Sequence, residues 1–307
     1  MNSFNVVTVV PEGDIHSVGL ETWASVLEYG LRGLGADVTS GRNNFDDSRV
    51  NFIFGAHLLT DQQAGELPSQ CVIVNLEQLH ALPGLETSTY LSLIKQNVIW
   101  DFSQKNLKFL SDNFGIEHSS YLPVSFAPTL ETIIEEVEKD IDVLFYGVLN
   151  PRRRSILSQL DEAGLNVQVL VGVFGEERNA YIARSKIILN VSYYGSDILE
   201  SARVLEALAL KKCVVSECGE RTEFDSRLGI GAVLCPYDEL VATCLRLLGD
   251  PKALSHQQLL LDKCCDVLSI DKTIVEPLEA LPETFMIAEC FKNDGAPYSD
   301  QGESAIG

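Results

Sequence analysis

Three consecutive arginines, at positions 152–154, stand where the sequence predicts the first turn of a helix. They follow Gly147 and the Asn150-Pro151 pair, which interrupt the apolar run IDVLFYG at residues 141–147. A glycine-containing loop that leads into a helix offers backbone N–H groups and the positive end of the helix dipole to a phosphate. Basic side chains in a first turn oppose that dipole, and a bound anion would relieve the conflict. The arginines could instead be solvated surface charges, but together they favour a diphosphate site.

The charge distribution also favours a small anionic ligand. The net charge is −21, and residues 1–150 carry 7 basic against 20 acidic side chains. Residues 216–307 carry 7 against 17, whereas residues 151–215, which begin at the arginines, carry 9 against 7. A protein that binds long nucleic acids needs a broad basic face. We therefore predict no nucleic-acid partner and one site for a small anion.

Alternating strands and helices surround the arginines. Short apolar runs rich in β-branched and aromatic residues are typical of strands buried in a parallel sheet. In the first half of the chain such runs occupy residues 4–10, 36–39, 50–56, 70–78 and 97–103, with an amphipathic helix starting at residue 18. In the second half they occupy residues 141–147, 166–172, 186–192, 212–217 and 231–237, with helices over 151–163, 200–212, 238–250 and 251–268.

This alternation predicts an α/β fold with two Rossmann-like domains that face a cleft. We place the first domain at residues 1–125 and a linker, proline-containing and then acidic, at 126–139. The second domain and its terminal helices occupy 140–290. The polar, glycine- and serine-rich tail at 291–307 is predicted to be disordered.

Several protein classes are excluded by missing motifs. No GxGxxG follows the first strand, and neither GxxxxGK[ST] nor GxSxG occurs, which disfavours dinucleotide-dependent dehydrogenases, P-loop NTPases and α/β-hydrolases. The eight cysteines form no CxxC pair, so we predict free thiols rather than zinc ligands or disulfides. No run of 18 apolar residues occurs and the N-terminus lacks the features of a signal peptide. We predict a cytoplasmic protein without stable membrane insertion.

Six segments together resemble a known family, the glycosyltransferases of the GT-B fold, and more narrowly the group-1 branch that includes the spore-maturation CgeB-like proteins. The resemblance covers most of residues 1–235, and its motifs are NFIFGAHLL (51–59), VNLEQL (74–79), VIWDFSQKN (98–106), DIDVLFYGVLNPRRRSIL (140–157), VFGEERNAYIARSKIILNVSYY (173–194) and ESARVLEALALKKCVVSE (200–217). In such enzymes the second domain binds a nucleotide-sugar donor and the first binds the acceptor.

The resemblance implies a set of donor-binding residues in the second domain. Glu206 would accept hydrogen bonds from the ribose hydroxyls, Arg203 could reach a phosphate, and Asn190 and Tyr193 would end the strand that faces the cleft. The diphosphate would be held by Gly147, Asn150, Arg152 and Arg153.

The sequence also departs from the family pattern at two places. Ile198 stands where retaining members often carry a glutamate, eight positions before Glu206. The pair Lys211-Lys212 replaces the glycine usual after the helix. The first departure slightly favours an inverting reaction.

An inverting reaction needs a base that faces the cleft from the first domain. His16, in the loop after the first strand, is the main candidate because it titrates near neutral pH. Asp14 is the alternative catalytic residue, followed by Glu12, and His16 could instead serve only to cap the following helix. Glu77 is predicted to bind an acceptor hydroxyl.

We therefore predict a glycosyltransferase that moves a sugar from a nucleotide-diphosphate sugar to an acceptor hydroxyl. No metal and no cofactor beyond this co-substrate are required, because fixed cations and a helix N-terminus can stabilise the leaving diphosphate. His57 and His80 are weaker site candidates. The acceptor itself, whether a glycan, a small molecule or a protein, is not indicated by the sequence. One alternative is a non-catalytic protein of the same fold that binds a partner transferase, and another is an enzyme of related fold, such as a nucleotide-sugar epimerase or a sugar-phosphate hydrolase.

Overall fold

The computed structural model of the protein describes residues 3–14, 17–131, 137–194 and 197–285. Within these ranges the strands are β1 (Ser3–Thr8), β2 (Asp37–Arg42), β3 (Val50–Phe54), β4 (Cys71–Asn75), β5 (Val98–Asp101), β6 (Ser119–Tyr121), β7 (Ile141–Tyr146), β8 (Val167–Leu170), β9 (Ser185–Asn190), β10 (Cys213–Glu217) and β11 (Ala232–Cys235).

The helices in the same ranges are α1 (Val18–Gly33), α2 (Asp61–Gly65), α3 (Thr89–Gln96), α4 (Gln104–Phe114), α5 (Pro151–Glu162), α6 (Gly175–Arg184), α7 (Ser201–Ala209), α8 (Leu240–Gly249), α9 (Pro251–Leu259), α10 (Leu261–Val267), α11 (Ile270–Thr273) and α12 (Val275–Glu279).

Two parallel sheets organise the described residues. The first has the order β2-β1-β3-β4-β5-β6 and the second the order β11-β10-β9-β7-β8. All the strand pairs are parallel, so the carboxyl ends of neighbouring strands meet at one edge of each sheet. The predicted α/β fold with two Rossmann-like domains is confirmed. The loops that carry the predicted site residues follow these carboxyl ends.

Burial explains why the strands read as continuous apolar runs. Phe52 of β3 and Ile73 of β4 are fully buried, because helices and loops cover both faces of the sheet. In the first core the ring of Phe52 packs between those of Phe4 and Trp100, with centroid distances of 5.4 and 4.8 Å. The short strand β6, with the polar sequence Ser-Ser-Tyr, carried no such apolar signal.

After the second sheet the chain returns to the first domain. Ile270, Ile274 and Leu278 are buried in the core of the first domain, against α1. A Cβ atom on Gly30 would lie 2.5 Å from Cγ1 of Ile270, so the glycine allows α11 to pack closely on α1. Residues 270–281 therefore pack with the first domain, although they follow the second one in sequence.

A carboxylate of the second domain caps a helix of the first. Glu223 accepts hydrogen bonds from the hydroxyl of Ser103 (2.5 Å) and from the backbone N–H groups of Gln104 (2.6 Å) and Lys105 (3.0 Å). These donors form the start of α4, where backbone N–H groups lack partners within the helix. The Lys105 ammonium also donates to the carbonyl of Arg221 (2.6 Å). We refer to the contacts of Glu223 with residues 103–105 as the interdomain clamp.

Some predictions fall outside the described ranges. His16 and the predicted tail at 291–307 lie among residues that the structure does not describe. Over the ranges that are described, no helix is both long enough and apolar enough to cross a bilayer.

Candidate functional site: a cavity at the edge of the second sheet

A cavity of about 240 Å³ opens at the carboxyl edge of the second sheet, where α1 of the first domain approaches it. In the second domain it is lined by the loops after β7 and β8 and by helices α6 and α7, and in the first domain by helix α1. The lining residues are Gly19, Trp23, Tyr146, Gly147, Val148, Gly172, Val173, Phe174, Arg178, Ala202, Arg203 and Glu206. Three predicted donor-binding residues, Gly147, Arg203 and Glu206, are among them.

Gly147 brings the loop after β7 close to α7. Its φ of +135° is a conformation that residues with a side chain rarely adopt. A Cβ atom at this position would lie 3.0 Å from Nη2 of Arg203. The glycine therefore lets the Arg203 guanidinium lie against the backbone at the mouth of the cavity.

One carboxylate orients the Arg203 guanidinium. Glu200 accepts from Nη1 of Arg203 at 2.6 Å, and the amide oxygen of Asn190 accepts from the same nitrogen at 3.2 Å. Asn190 is itself buried and donates to the hydroxyl of Ser216 at 2.9 Å. Arg203 thus has a fixed direction, with its planar group exposed on one side to the cavity.

Arg178 and Glu206 form a second ion pair in the cavity wall. The guanidinium of Arg178, from the first turn of α6, donates to both carboxylate oxygens of Glu206 at 2.6 and 3.0 Å. Both side chains are only 12% exposed, so the pair is well shielded from solvent. Burial, with a smaller contribution from Glu206, raises the pKa of the neighbouring Tyr146 hydroxyl well above its ordinary value.

Arg153 departs from its predicted position at the ligand. It is 1% exposed, and its guanidinium donates to Glu200 (2.8 and 3.1 Å) and to the carbonyls of Val191 (2.8 Å) and Val148 (2.7 Å). Burial outweighs the attraction of Glu200 and lowers the Arg153 pKa to about 10. A diphosphate could reach Arg153 only if these protein contacts were given up. The sequence alone could not indicate this, because Glu200 is distant along the chain.

Arg152 is also engaged within the second domain. It forms a bidentate ion pair with Glu217 and donates to the carbonyl of Ser192 at 3.2 Å. Its guanidinium stacks on the ring of Tyr237, 3.9 Å from the centroid. The predicted conflict between the basic residues and the dipole of α5 is therefore relieved by protein carboxylates at two of the three arginines.

Asn150 and Tyr193 connect the loops after β7 and β9. The Asn150 carboxamide oxygen accepts from the backbone N–H of Arg153 at 2.8 Å and so caps α5. Its amide nitrogen donates to the Tyr193 carbonyl at 2.7 Å. The Tyr193 ring is partly exposed and lies 5.1 Å from the Arg153 guanidinium. Neither of these two predicted donor-binding residues is among the residues that line the cavity.

The first domain presents a second group of polar side chains at its own carboxyl edge. The imidazole of His57, after β3, has its Nε2 atom 3.8 Å from a carboxylate oxygen of Glu77, after β4. Burial lowers the pKa of His57, and the charges of Glu77 and then Asp14 oppose this effect. The predicted residues Asp14 and Glu77 are thus brought to one place, together with His57.

Arg178, which lines the cavity, and Glu200, which pairs with Arg153 and Arg203 beside it, were not among the predicted site residues. Arg178 follows a strand and the glycine-containing loop at 172–175, which is the same pattern that marked the arginines at 152–154. The same pattern therefore predicts Arg178 as a candidate site residue. For Glu200 the sequence offered only its closeness to the helix that carries Arg203.

Comparisons with known proteins extend these observations. No protein-family model matches the chain. An uncharacterized protein of Acanthamoeba polyphaga mimivirus is 30% identical over 190 residues, which are 58% of this chain and 59% of the relative. A second uncharacterized protein of the same virus is 29% identical over 198 residues, which are 62% of this chain and 26% of the relative. The chain thus spans less than two thirds of the length of either relative.

Solved structures resemble the chain over nearly its whole length. HepE of Anabaena, solved with UDP and glucose, has a TM-score of 0.58 at 14% identity, and the match covers 92% of this chain and 100% of the HepE chain. T4 phage BGT, solved with UDP and Mn²⁺, has a TM-score of 0.59 at 11% identity, covering 91% and 99%. The sucrose-phosphate synthase of Thermosynechococcus elongatus has a TM-score of 0.59 at 11% identity, covering 91% and 98%.

At identities this low, the structural similarity shows the fold alone. Membership of the narrower CgeB-like family stays a prediction. The chain has the two-domain fold of the GT-B glycosyltransferases.

Proposed function

We propose that the protein is a glycosyltransferase that moves a sugar from a nucleotide-diphosphate sugar to an acceptor hydroxyl. The observation that carries this proposal is the cavity at the edge of the second sheet, in which a glycine loop, two guanidinium groups and a carboxylate converge. Fold neighbours that were solved with UDP support a nucleotide-sugar donor. We further propose that the enzyme is cytoplasmic and belongs to the CgeB-like branch.

The lining residues have distinct roles in this proposal. The loop at Gly147 and the guanidinium of Arg203 bind the diphosphate, which carries the negative charge of the leaving group. Glu206 accepts hydrogen bonds from the ribose hydroxyls, and Arg178 holds its carboxylate in place through two hydrogen bonds. The apolar side chain of Val173 contributes to a wall against which a flat base can pack.

We propose that the reaction needs no metal and inverts the configuration of the transferred sugar. The guanidinium of Arg203, held in place by Glu200 and only 21% exposed, can act on the diphosphate without a metal ion, because electrostatic attraction is stronger where water is partly excluded. Ile198, 2% exposed, offers no carboxylate at the position where retaining members often have one. A base from the first domain must then take the proton of the acceptor hydroxyl. The candidates predicted from sequence are His16 and Asp14.

Thermal unfolding with UDP, GDP, dTDP, ADP and CMP tests the donor site. A nucleotide at a hundred times its dissociation constant stabilises the folded state by about 2.7 kcal/mol. We expect one diphosphate to raise the midpoint in the wild type, and Arg203→Ala to abolish the shift. Arg184→Ala is the matched control, since this arginine pairs with Asp140 in an exposed position outside the cavity lining. A shift of equal size in Arg203→Ala would remove this residue from the site.

One observation favours a second candidate function. Arg152 and Arg153, two cations that would serve a diphosphate, are both neutralised by protein carboxylates. A non-catalytic protein that keeps the fold and binds a partner transferase would have no need to free them. This alternative predicts no thermal shift with any of the five nucleotides and co-purification of a partner chain.

A further inference from the structure

A buried polar network lies under the carboxyl edge of the first sheet. Asp101, at the end of β5, is fully buried and accepts hydrogen bonds from the side-chain amides of Asn75 (2.6 Å) and Asn106 (3.0 and 3.2 Å) and from the backbone N–H of Ser103 (2.8 Å). The hydroxyl of Tyr90 donates to the amide oxygen of Asn75 at 2.7 Å. Removing this many polar groups from water is costly unless each is satisfied, so such a network fixes its members in one arrangement.

This network holds the backbone of Glu77 in place. The N–H of Glu77 donates to the amide oxygen of Asn75 at 3.0 Å. Its carbonyl accepts from the amide of Asn75 at 2.8 Å and from that of Asn106 at 2.7 Å. Both backbone polar groups of Glu77 are thus fixed from below, while its side chain remains 36% exposed. The network therefore presents a carboxylate to solvent in a defined position.

The same network supports His57. The ring of Tyr90 packs edge-on against the imidazole, with centroids 5.7 Å apart. The His57 side chain is 25% exposed, and its Nε2 atom lies 3.8 Å from Oε1 of Glu77. The titratable groups around the imidazole are Glu77 in the loop after β4, Asp14 in the loop after β1 and Tyr90 on α3.

This pair lies on the side of the first domain that meets the second. The residue after Glu77, Gln78, donates to the carbonyl of Ile198 at 3.2 Å. Ile198 stands two positions before Glu200, which orients Arg203 at the donor cavity. A short path of contacts therefore joins the pair to the proposed donor site across the domain boundary.

We propose that His57 and Glu77 form the acceptor site, that the acceptor carries two adjacent hydroxyl groups, as sugars and other polyols do, and that His57 is the catalytic base. The inference rests on the proposed function. Nε2 of His57 and the Glu77 carboxylate are two hydrogen-bond acceptors side by side, each able to receive one O–H donor. An imidazole that is partly open to solvent and lies beside two carboxylates suits proton abstraction, and its lowered pKa keeps it in the neutral form that has a lone pair near pH 7.

The proposed step transfers one proton and exchanges one bond at the anomeric carbon. The acceptor O–H gives its proton to Nε2 of His57, and its oxygen forms the bond to the anomeric carbon of the donor sugar. The bond between that carbon and the phosphate oxygen breaks, and its electron pair leaves with the nucleoside diphosphate toward Arg203. The imidazolium that results faces the carboxyl groups of Glu77 and Asp14. It then releases its proton to water.

The test compares His57→Gln, Glu77→Gln and His16→Gln with His118→Gln as the matched control. His118 precedes β6 at the opposite edge of the first sheet, and its ring contacts the carbonyl of Ile94 at 3.0 Å. UDP binding is measured by calorimetry. Turnover is measured with UDP-glucose as donor and with water, glycerol, methyl α-glucoside and deoxy forms of methyl α-glucoside as acceptors.

We expect His57→Gln to lower kcat by about 10²- to 10⁴-fold, the range of general-base effects, without changing UDP affinity. The wild-type kcat/KM for the acceptor should rise with pH up to a pKa below about 6.5, and His57→Gln should lack this limb. Glu77→Gln should raise the KM for the acceptor about tenfold or more, as expected for a lost hydrogen bond to a charged group, and a deoxy acceptor should mimic this effect in the wild type.

Failure of the His57 assignment and failure of the proposed function would give different results. Absence of binding of UDP and of the other four nucleotides in the wild type would overturn both. UDP binding with wild-type turnover in His57→Gln, or with turnover lost in His16→Gln alone, would overturn the assignment of His57 and leave the donor site intact. UDP binding without transfer or hydrolysis in the wild type would also contradict a catalytic His57. Equal KM values for intact and deoxy acceptors would refute the pair of hydroxyl contacts.

Discussion

The carboxylate of Glu200 lies between two guanidinium groups, 2.8 Å from Nη2 of Arg153 and 2.6 Å from Nη1 of Arg203. It also accepts from the backbone N–H of Tyr193 at 3.0 Å. One side of this arrangement is buried at the start of α5, and on the other side Arg203 lines the cavity at the edge of the second sheet. Glu200 therefore connects the stability of the second domain to the orientation of a cation that we propose binds the diphosphate.

Arg153→Ala is expected to destabilise the fold rather than to act only on ligand binding. The change removes one partner of a buried ion pair and leaves the carbonyls of Val148 and Val191 without this donor. Breaking a buried pair typically costs about 3–5 kcal/mol. Urea unfolding should show a loss of this order. Arg154→Ala, one position along and exposed, is the control and should stay within about 0.5 kcal/mol of the wild type. Equal stabilities of the two variants would contradict a structural role for Arg153.

Glu206→Gln is expected to weaken UDP binding by about tenfold or more, because a charged hydrogen-bond acceptor for the ribose hydroxyls becomes a neutral one. The loss of its charge also loosens Arg178, whose two hydrogen bonds to Glu206 span 2.6–3.0 Å. Calorimetry with UDP measures the effect. Glu162→Gln, on the exposed end of α5, provides the control. If UDP bound equally well to Glu206→Gln, the carboxylate would have no part in the donor site.

The fold could be predicted from the sequence because its strands are buried on both faces. Runs such as VNFIF and CVIVN have no polar positions except asparagines that the structure buries and pairs, so they stood out as continuous apolar segments. The three-residue β6 gave no signal of its own. The helix predicted over 251–268 is divided in the structure, because α9 ends at Leu259 and α10 begins at Leu261.

The candidate site was predictable only in part. Gly147 could be placed from its position after a strand, since local chain geometry decides its role. The roles of Arg152 and Arg153 depend on Glu217 and Glu200, which local patterns cannot connect to them. Lys211, after α7, adopts a φ of +58°, a left-handed conformation that glycine adopts far more easily, and the sequence alone did not indicate this backbone conformation.

The interdomain clamp predicts a variant with a more open cleft. Glu223→Ala removes the acceptor of three hydrogen bonds at the start of α4 and should cost about 1–2 kcal/mol, as the loss of a helix cap does. Because the capping group comes from the other domain, we also expect a larger radius of gyration in small-angle scattering. Glu220→Ala, an exposed residue of the same loop, is the control. An unchanged scattering curve together with an unchanged melting temperature would argue against the clamp.

Asp101 predicts a pH dependence of stability. Burial raises its pKa to about 7 in the folded protein, and the hydrogen bonds from Asn75, Ser103 and Asn106 only partly oppose this effect. An unfolded aspartate has a pKa of about 3.9. Between these values the folded state holds a proton that the unfolded state has lost, so the contribution of Asp101 to the free energy of unfolding falls as pH rises from about 4 to about 7.

The slope for this single group is at most about 1.4 kcal/mol per pH unit, and it disappears above the folded-state pKa. Urea unfolding from pH 4.5 to 8 should therefore show that the free energy of unfolding falls less with pH in Asp101→Asn than in the wild type. The difference between the two curves gives the contribution of Asp101. Asp112→Asn, which alters an exposed carboxylate paired with Lys108 on α4, should follow the wild-type curve. Parallel curves for Asp101→Asn and the wild type would mean that Asp101 is already ionised throughout this range. The network under Glu77 would then be anionic, and its hydrogen bonds would outweigh the cost of burying the charge.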